Sequence, residues 1–201
     1  MRDEKTILYF ALLAFLYVGI EASVGNWMST YATRTIAWTF AGSTLAVAFF
    51  WAALLLGRAI TPAMLTWLPE RRLYRASVIA TIAGVSLLLA AHSPLTLLLG
   101  AALTGLALAP VFPLILALFL AEIGGSRNAG WVFAVAGLGG AVLSWLTGIV
   151  SSSTGSLRVG LLVPGAAALL MLGMISRRRA NHLSGPHADQ QALQSTITGK
   201  A

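Results

Sequence analysis

Six apolar runs, each long enough to cross a bilayer and separated by short polar or basic breaks, recur along the chain; they constrain its fold more than any motif does. A helix rises about 1.5 Å per residue, so roughly 20 residues traverse a hydrocarbon core of about 30 Å. The runs cover residues 6–31, 42–60, 73–91, 95–120, 129–150 and 157–175. Lipid offers backbone amides no partners and the alternation of a barrel strand is missing, so every run is predicted to be a helix. The expected fold is an all-α membrane protein with six transmembrane helices. Charged residues are only 9% of the chain, against roughly 25% in soluble domains, which excludes an ordinary soluble fold.

A charged segment precedes the first run, as in a signal peptide. Asp3 and Glu4 dilute its positive charge, however, and the run is too long for a signal core and is followed by further spans. The first helix is therefore expected to be retained. Residues 1–176 read as one six-helix domain, and 177–201 as a basic, then polar, disordered cytoplasmic tail.

Lys and Arg near helix ends stay in the cytoplasm. Arg2, Lys5, Arg58, Arg71, Arg72, Arg75, Arg127, Arg177, Arg178, Arg179 and Lys200 fall on one side of the predicted layout, and only Arg34 and Arg158 on the other. Both termini are thus expected inside, in the inner membrane of a bacterium. The net charge of +7 sits in short segments beside helices, so membrane topology explains it and a nucleic-acid partner does not. There is no cysteine, hence no disulfide framework or thiolate nucleophile. His92, His182 and His187 lie at a loop and in the tail, and no Ser-His pair, paired carboxylates, phosphate loop or metal-ligand cluster is visible. The reading is a non-enzyme without metal or cofactor.

Glu21 stands as a solitary acid within the first run. Placing a carboxylate at that depth costs about 2.5–3.5 kcal/mol on insertion scales, and an apolar setting favours the neutral acid. Such a group suits proton coupling, although a hydrogen bond across a helix interface would also accommodate it. At 100° per residue, Tyr17, Glu21, Met28 and Tyr31 share one sector, while Gly19, Ser23, Asn26 and Thr30 lie nearly opposite. The first sector is expected to line a polar cavity and the second to pack closely on another helix.

In the fourth run Pro110 and Pro113 each remove an amide donor, so a bend or an ordinary kink is expected there. Gly130, Gly137, Gly139, Gly140 and Gly148 in the fifth run predict close helix approach. Trp27 and Trp38 on one side, with Trp67 and Trp131 on the other, fit aromatic belts; Trp51 and Trp145 lie deeper.

The stretches YVGIEASVGNWMSTYA (17–32), FWAALLLGRAI (50–60) with PERRL (69–73), APVFPLILAL (109–118) and AGLGGAVLSWLTGIVSSSTGSLRVGLLVP (136–164) resemble the C-terminal half of a major facilitator superfamily transporter, closest to the fucose permease-like branch of sugar carriers. The resemblance implies half of a major facilitator fold, a 3+3 inverted repeat with both termini inside. It also implies that the first and fourth helices line the path, placing Tyr17, Asn26, Tyr31 and Phe112 at substrate, Glu21 at proton coupling, and Pro110 and Pro113 at a gating bend. Gly57, Arg58, Arg71 and Arg72 correspond to the cytoplasmic loop motif, whose usual aspartate is missing.

Full carriers hold substrate between two such halves. A lone half would leave its polar face against lipid, so the expected partners are the bilayer, a small-molecule substrate and a second six-helix half, supplied by a homodimer or a separately encoded N-terminal half. The function expected is alternating-access transport of a small, sugar-like solute with proton coupling. The other reading is a non-transporting membrane subunit, or a remnant of a split or truncated carrier.

Overall fold

The computed structural model describes residues 2–123 and 129–183, with side chains for 4–122 and 129–176. The elements are α1 (Arg2–Thr35), α2 (Phe40–Trp67), α3 (Glu70–Leu89), α4 (Pro94–Leu108), α5 (Val111–Ile123), α6 (Ala129–Thr154), α7 (Leu157–Gly160) and α8 (Leu162–Leu183). Among the described residues these make six membrane-length spans, because α4 with α5 and α7 with α8 each form one interrupted span.

Local chemistry sets the boundaries. Thr39 caps α2 by accepting from the Gly42 amide at 3.2 Å. Ser93 and Thr96 form a reciprocal capping box at the start of α4, with Pro94 in the first turn, where its missing N–H costs nothing. The fourth span breaks at Ala109–Pro110: Pro110 has no amide to offer the preceding turn, and the chain resumes as Val111 opens α5. Pro113 lies in the first turn of α5, where no amide donor is needed.

Two expected boundaries are corrected. The second span does not end at residue 60; it runs through Pro62 to Trp67. Within a helix a proline frees one carbonyl, four residues back, here that of Arg58, and the remaining ladder continues. Gly57 and Arg58 thus lie well inside α2 rather than at its end, while Arg71 and Arg72 belong to the first turn of α3. The expected loop motif is thus helical at all four positions, with only Leu68 and Pro69 between the helices. At the other end, α8 continues to Leu183, seven residues past the tail boundary at 176. The rest of the tail, and Arg127, lie outside the described residues.

α1 is the central element, packed most extensively on α6 and also on α2, α5 and α8; α4 fills the space between α2 and α3. Phe10, Tyr17, Ile20, Phe50, Leu88, Leu97, Leu108, Leu114 and Phe119 are fully buried, whereas Leu8, Leu55, Leu138 and Leu169 point outward. Apolar side chains on both faces are what a lipid-immersed bundle requires.

The predicted close approach of the fifth span is met at some glycines only. A Cβ on Gly139 would strike the Phe15 backbone carbonyl of α1, and one on Gly148 would stand 2.7 Å from the Trp27 ring. Gly130 and Gly137 face open space, so packing does not account for them. Trp27 is likewise no lipid anchor: it is half-buried between α1 and α6, and its Nε1 donates to the Ser144 carbonyl at 2.9 Å. Trp67 and Trp131 are largely exposed, as belt residues should be.

The bundle has two chemically distinct ends. At one, Arg158 Nη2 donates to the Ala91 carbonyl at 2.6 Å and lies 3.0 Å from His92 Nδ1. At the other, Tyr9, Arg71, Arg72, Arg75 and Glu122 surround a common cavity.

Candidate functional site

Glu21 is not solitary. α1 and α2 run antiparallel, and this brings Arg58 of α2 opposite it: Arg58 Nη2 lies 3.3 Å from Glu21 Oε2. The same nitrogen donates to the Tyr17 hydroxyl at 3.1 Å. The expectation of an isolated acid is corrected for a simple reason: sequence separation hid the cation, and the packing of α2 against α1 brings it to Glu21. As an ion pair the two groups enter the bundle with no net charge, which removes much of the insertion cost of a single carboxylate.

The pair is unequally sheltered. The Glu21 side chain is 17% exposed and that of Arg58 42%, so the carboxylate is held inside while the guanidinium still reaches an open face. Tyr17 and Glu21 are one helical turn apart, which lets both meet the same arginine.

Aromatic rings extend this face. The Tyr17 and Phe112 centroids are 5.3 Å apart, and Phe112 stands 6.1 Å from Phe133 of α6. Along α2, two turns from Arg58 and hence on the same side, Trp51 is 42% exposed. Its ring lies over Gly25 of α1, where a Cβ would come 2.9 Å from Cζ2. Gly25 is one turn beyond Glu21, so the glycine creates the seat on which Trp51 rests. Trp51, Gly25 and Phe133 were not among the predicted site residues. The depth of Trp51, away from both aromatic belts, and its seven-residue spacing from Arg58 are the signals that mark it in the sequence.

The remaining predicted residues are divided. Asn26 is exposed and its Nδ2 donates to Ser144 Oγ on α6 at 3.2 Å, so it lies on the α6 side of α1. Tyr31 does not join Tyr17 and Glu21: it is fully buried, and its hydroxyl donates to the Leu88 carbonyl of α3 at 2.7 Å. Ten residues of helix put it roughly 15 Å along the axis from Glu21, near the Arg158 end. Pro110 is buried at the α4–α5 break and Pro113 is exposed beside Phe112. Gly57 is buried under that break, with a Cβ placed there coming 2.5 Å from Ala109 Cβ, while Arg71 and Arg72 stand at the far end of the bundle.

The chain as a whole has counterparts among known proteins. No family model matches the chain. It is 29% identical over 187 residues to the glucose/mannose transporter GlcP of Bacillus subtilis, covering 88% of this chain and 44% of that protein. Among solved structures, it superposes on FucP, a major facilitator superfamily transporter in the outward conformation, with a TM-score of 0.76 and 18% identity over 86% of this chain and 42% of that one. The nucleoside transporter NupG gives a TM-score of 0.69 at 16% identity, over 86% and 44% of the respective chains.

In sequence the chain is similar to a sugar transporter, and in fold to a major facilitator superfamily transporter. It is a multi-pass integral membrane protein whose relatives are permeases rather than enzymes. It spans less than half the length of each of these relatives.

Proposed function

We propose that this chain is one six-helix half of a secondary transporter for a small polyhydroxylated solute, a sugar or sugar-containing molecule, working by alternating access in the inner membrane of a bacterium with both termini cytoplasmic. The observation that carries the reading is the Glu21–Arg58 pair on a partly open face, bordered by the rings of Trp51 and Phe112, with the buried Tyr17 ring packed behind Phe112. A paired acid and base present acceptors and donors to hydroxyl groups without favouring a charged ligand, and flat rings offer apolar faces to the C–H surface of a sugar. The likeness to a glucose/mannose transporter supports the same substrate class.

The three-plus-three order of spans corresponds to the nested inverted repeat of such halves, and substrate sites in these folds lie between two halves. The second half is supplied by another copy of this chain or by a separate polypeptide. Rocking of one half against the other exposes the pair alternately to the two sides, and Glu21 couples solute to proton by exchanging its partner Arg58 for a proton as the site opens. Pro110 and Pro113 supply the bend about which the α5 end moves.

Reconstituted uptake of a labelled sugar and nucleoside panel, with crosslinking in the same vesicles, tests this reading. Glu21→Gln is expected to abolish proton-driven accumulation while sparing exchange, and Trp51→Ala to raise KM at least tenfold. Uptake by the Glu21→Gln variant at the parental rate and accumulation ratio would remove the coupling role. A solitary chain that binds no solute, with no six-helix partner in its membrane, would favour the non-transporting subunit.

A further inference from the structure

The geometry points to a second ligand site, separate from the Glu21–Arg58 face: the cavity where α1, α3, α5 and α8 converge binds a phosphate-bearing ligand with an apolar body. The space is about 350 Å³, within the range of small-molecule pockets. It needs only the fold, and it stands whether or not the chain transports.

Its walls divide by chemistry. Phe10, Leu13, Ile115 and Leu118 give an apolar lining, and Arg71, Arg72 and Arg75 bring three guanidinium groups to it against the single carboxylate of Glu122. All three arginines lie in the first two turns of α3, where the helix dipole adds positive potential. Arg71 and Arg72 are exposed and free to turn toward an incoming anion. Guanidinium forks match phosphate oxygens in shape and charge better than any other side chain does.

A second observation asks for an acceptor. Tyr74, on the same wall, is 4% exposed, and its hydroxyl is enclosed with no hydrogen-bond partner. Arg75 likewise encloses an Nε–H that no acceptor meets. Buried donors are almost always paired in folded proteins. Two unpartnered donors on adjacent residues, beside a cavity rich in guanidinium groups, fit an anionic acceptor entering that cavity. A small rotation of the Tyr74 ring or the Arg75 head turns them to the bound group. A phosphate ester offers the required cluster of acceptors, and the apolar wall takes the carbon body attached to it.

Two sources carry this chemistry: an anionic phospholipid of the adjoining leaflet, and a soluble organic phosphate. Binding to the full chain, purified and delipidated in mild detergent, is titrated by native mass spectrometry with three probes: dihexanoyl phosphatidylglycerol, dihexanoyl phosphatidylcholine and glycerol 3-phosphate. The expected result is saturable binding of phosphatidylglycerol at least tenfold tighter than of the zwitterionic lipid. Glycerol 3-phosphate matching phosphatidylglycerol identifies the ligand as a soluble phosphate; much weaker binding identifies it as lipid, and both support an anion site.

Arg71→Gln with Arg72→Gln is expected to weaken binding tenfold or more. Tyr74→Phe removes only an unpartnered oxygen, so the fold is kept, and affinity should fall about fivefold, the effect of one hydrogen bond. Equal affinity for the two lipids, or undiminished binding by both the double variant and Tyr74→Phe, overturns the site.

Discussion

The two long sides of α1 are held in opposite ways. Toward α6 the contact is made at backbone level: Gly139 admits the Phe15 carbonyl, Gly19 admits Leu143, and Gly148 admits Trp27, with Asn26 and Trp27 both bonded to Ser144. Toward α2, the contact around Glu21 is made by side-chain tips: a 3.3 Å ion pair, a tyrosine hydroxyl and a tryptophan laid over Gly25. The first seam has least slack at Gly139, where the atoms in the way are the Phe15 backbone and cannot step aside. The second is held by side chains that can change rotamer, and it is there that the charged pair remains partly accessible. In one helix, rigidity and chemistry are therefore assigned to different faces.

The contrast is broken most severely by Gly139→Val. A side chain there must displace α1 backbone, and overpacking of this kind costs about 1–3 kcal/mol or more; the folded fraction recovered in detergent should collapse and Tm should fall. On the tip-held seam, Glu21→Gln strands Arg58. Removing one partner of a buried pair costs about 3–5 kcal/mol, but Arg58 is 42% exposed, and solvent screening reduces this to about 1–2 kcal/mol. Adding Arg58→Gln should restore much of that loss, whereas proton-driven accumulation stays absent; a double-mutant cycle on thermal unfolding measures the coupling.

Smaller effects sharpen the boundary of the site. Tyr31→Phe should lose about 1 kcal/mol, since one buried hydrogen bond to Leu88 disappears, with uptake unchanged. An altered KM would place Tyr31 back at the substrate. Smallest of all, Gly137→Ala meets open space, and its Tm should stay the same or rise slightly, because alanine favours the helix by roughly 1 kcal/mol.

The outline of this fold was legible because hydropathy alone forces it. A run of membrane length has only one economical conformation, so all six spans were found. Their ends were less legible: the second apolar run ends at residue 60, yet α2 continues through Pro62, because a lipid-immersed helix tolerates a single missing amide more readily than a premature loop. The glycines of α6 could be counted but not sorted, since whether a glycine meets a backbone or empty space depends on which face another helix covers. The site suffered from the same gap. Glu21 declared itself by being out of place, but its counter-ion lies 37 residues away, and only the antiparallel register of α1 and α2 joins them. Tyr31 shows the converse error, a residue on the correct face of the helix and at the wrong height.

Gly57 sits beside Arg58 and rests on Ala109, the residue just before Pro110. The turn of α2 that aims the guanidinium at Glu21 is therefore wedged against the discontinuity in the fourth span. Were α5 to swing about that discontinuity, the wedge would press on α2 one residue from the arginine, and the charge pair would register the swing through steric contact alone. In such a motion the break and the charge pair would meet at a single point of touch, Gly57 on Ala109, with no long side chain between them to soften the push.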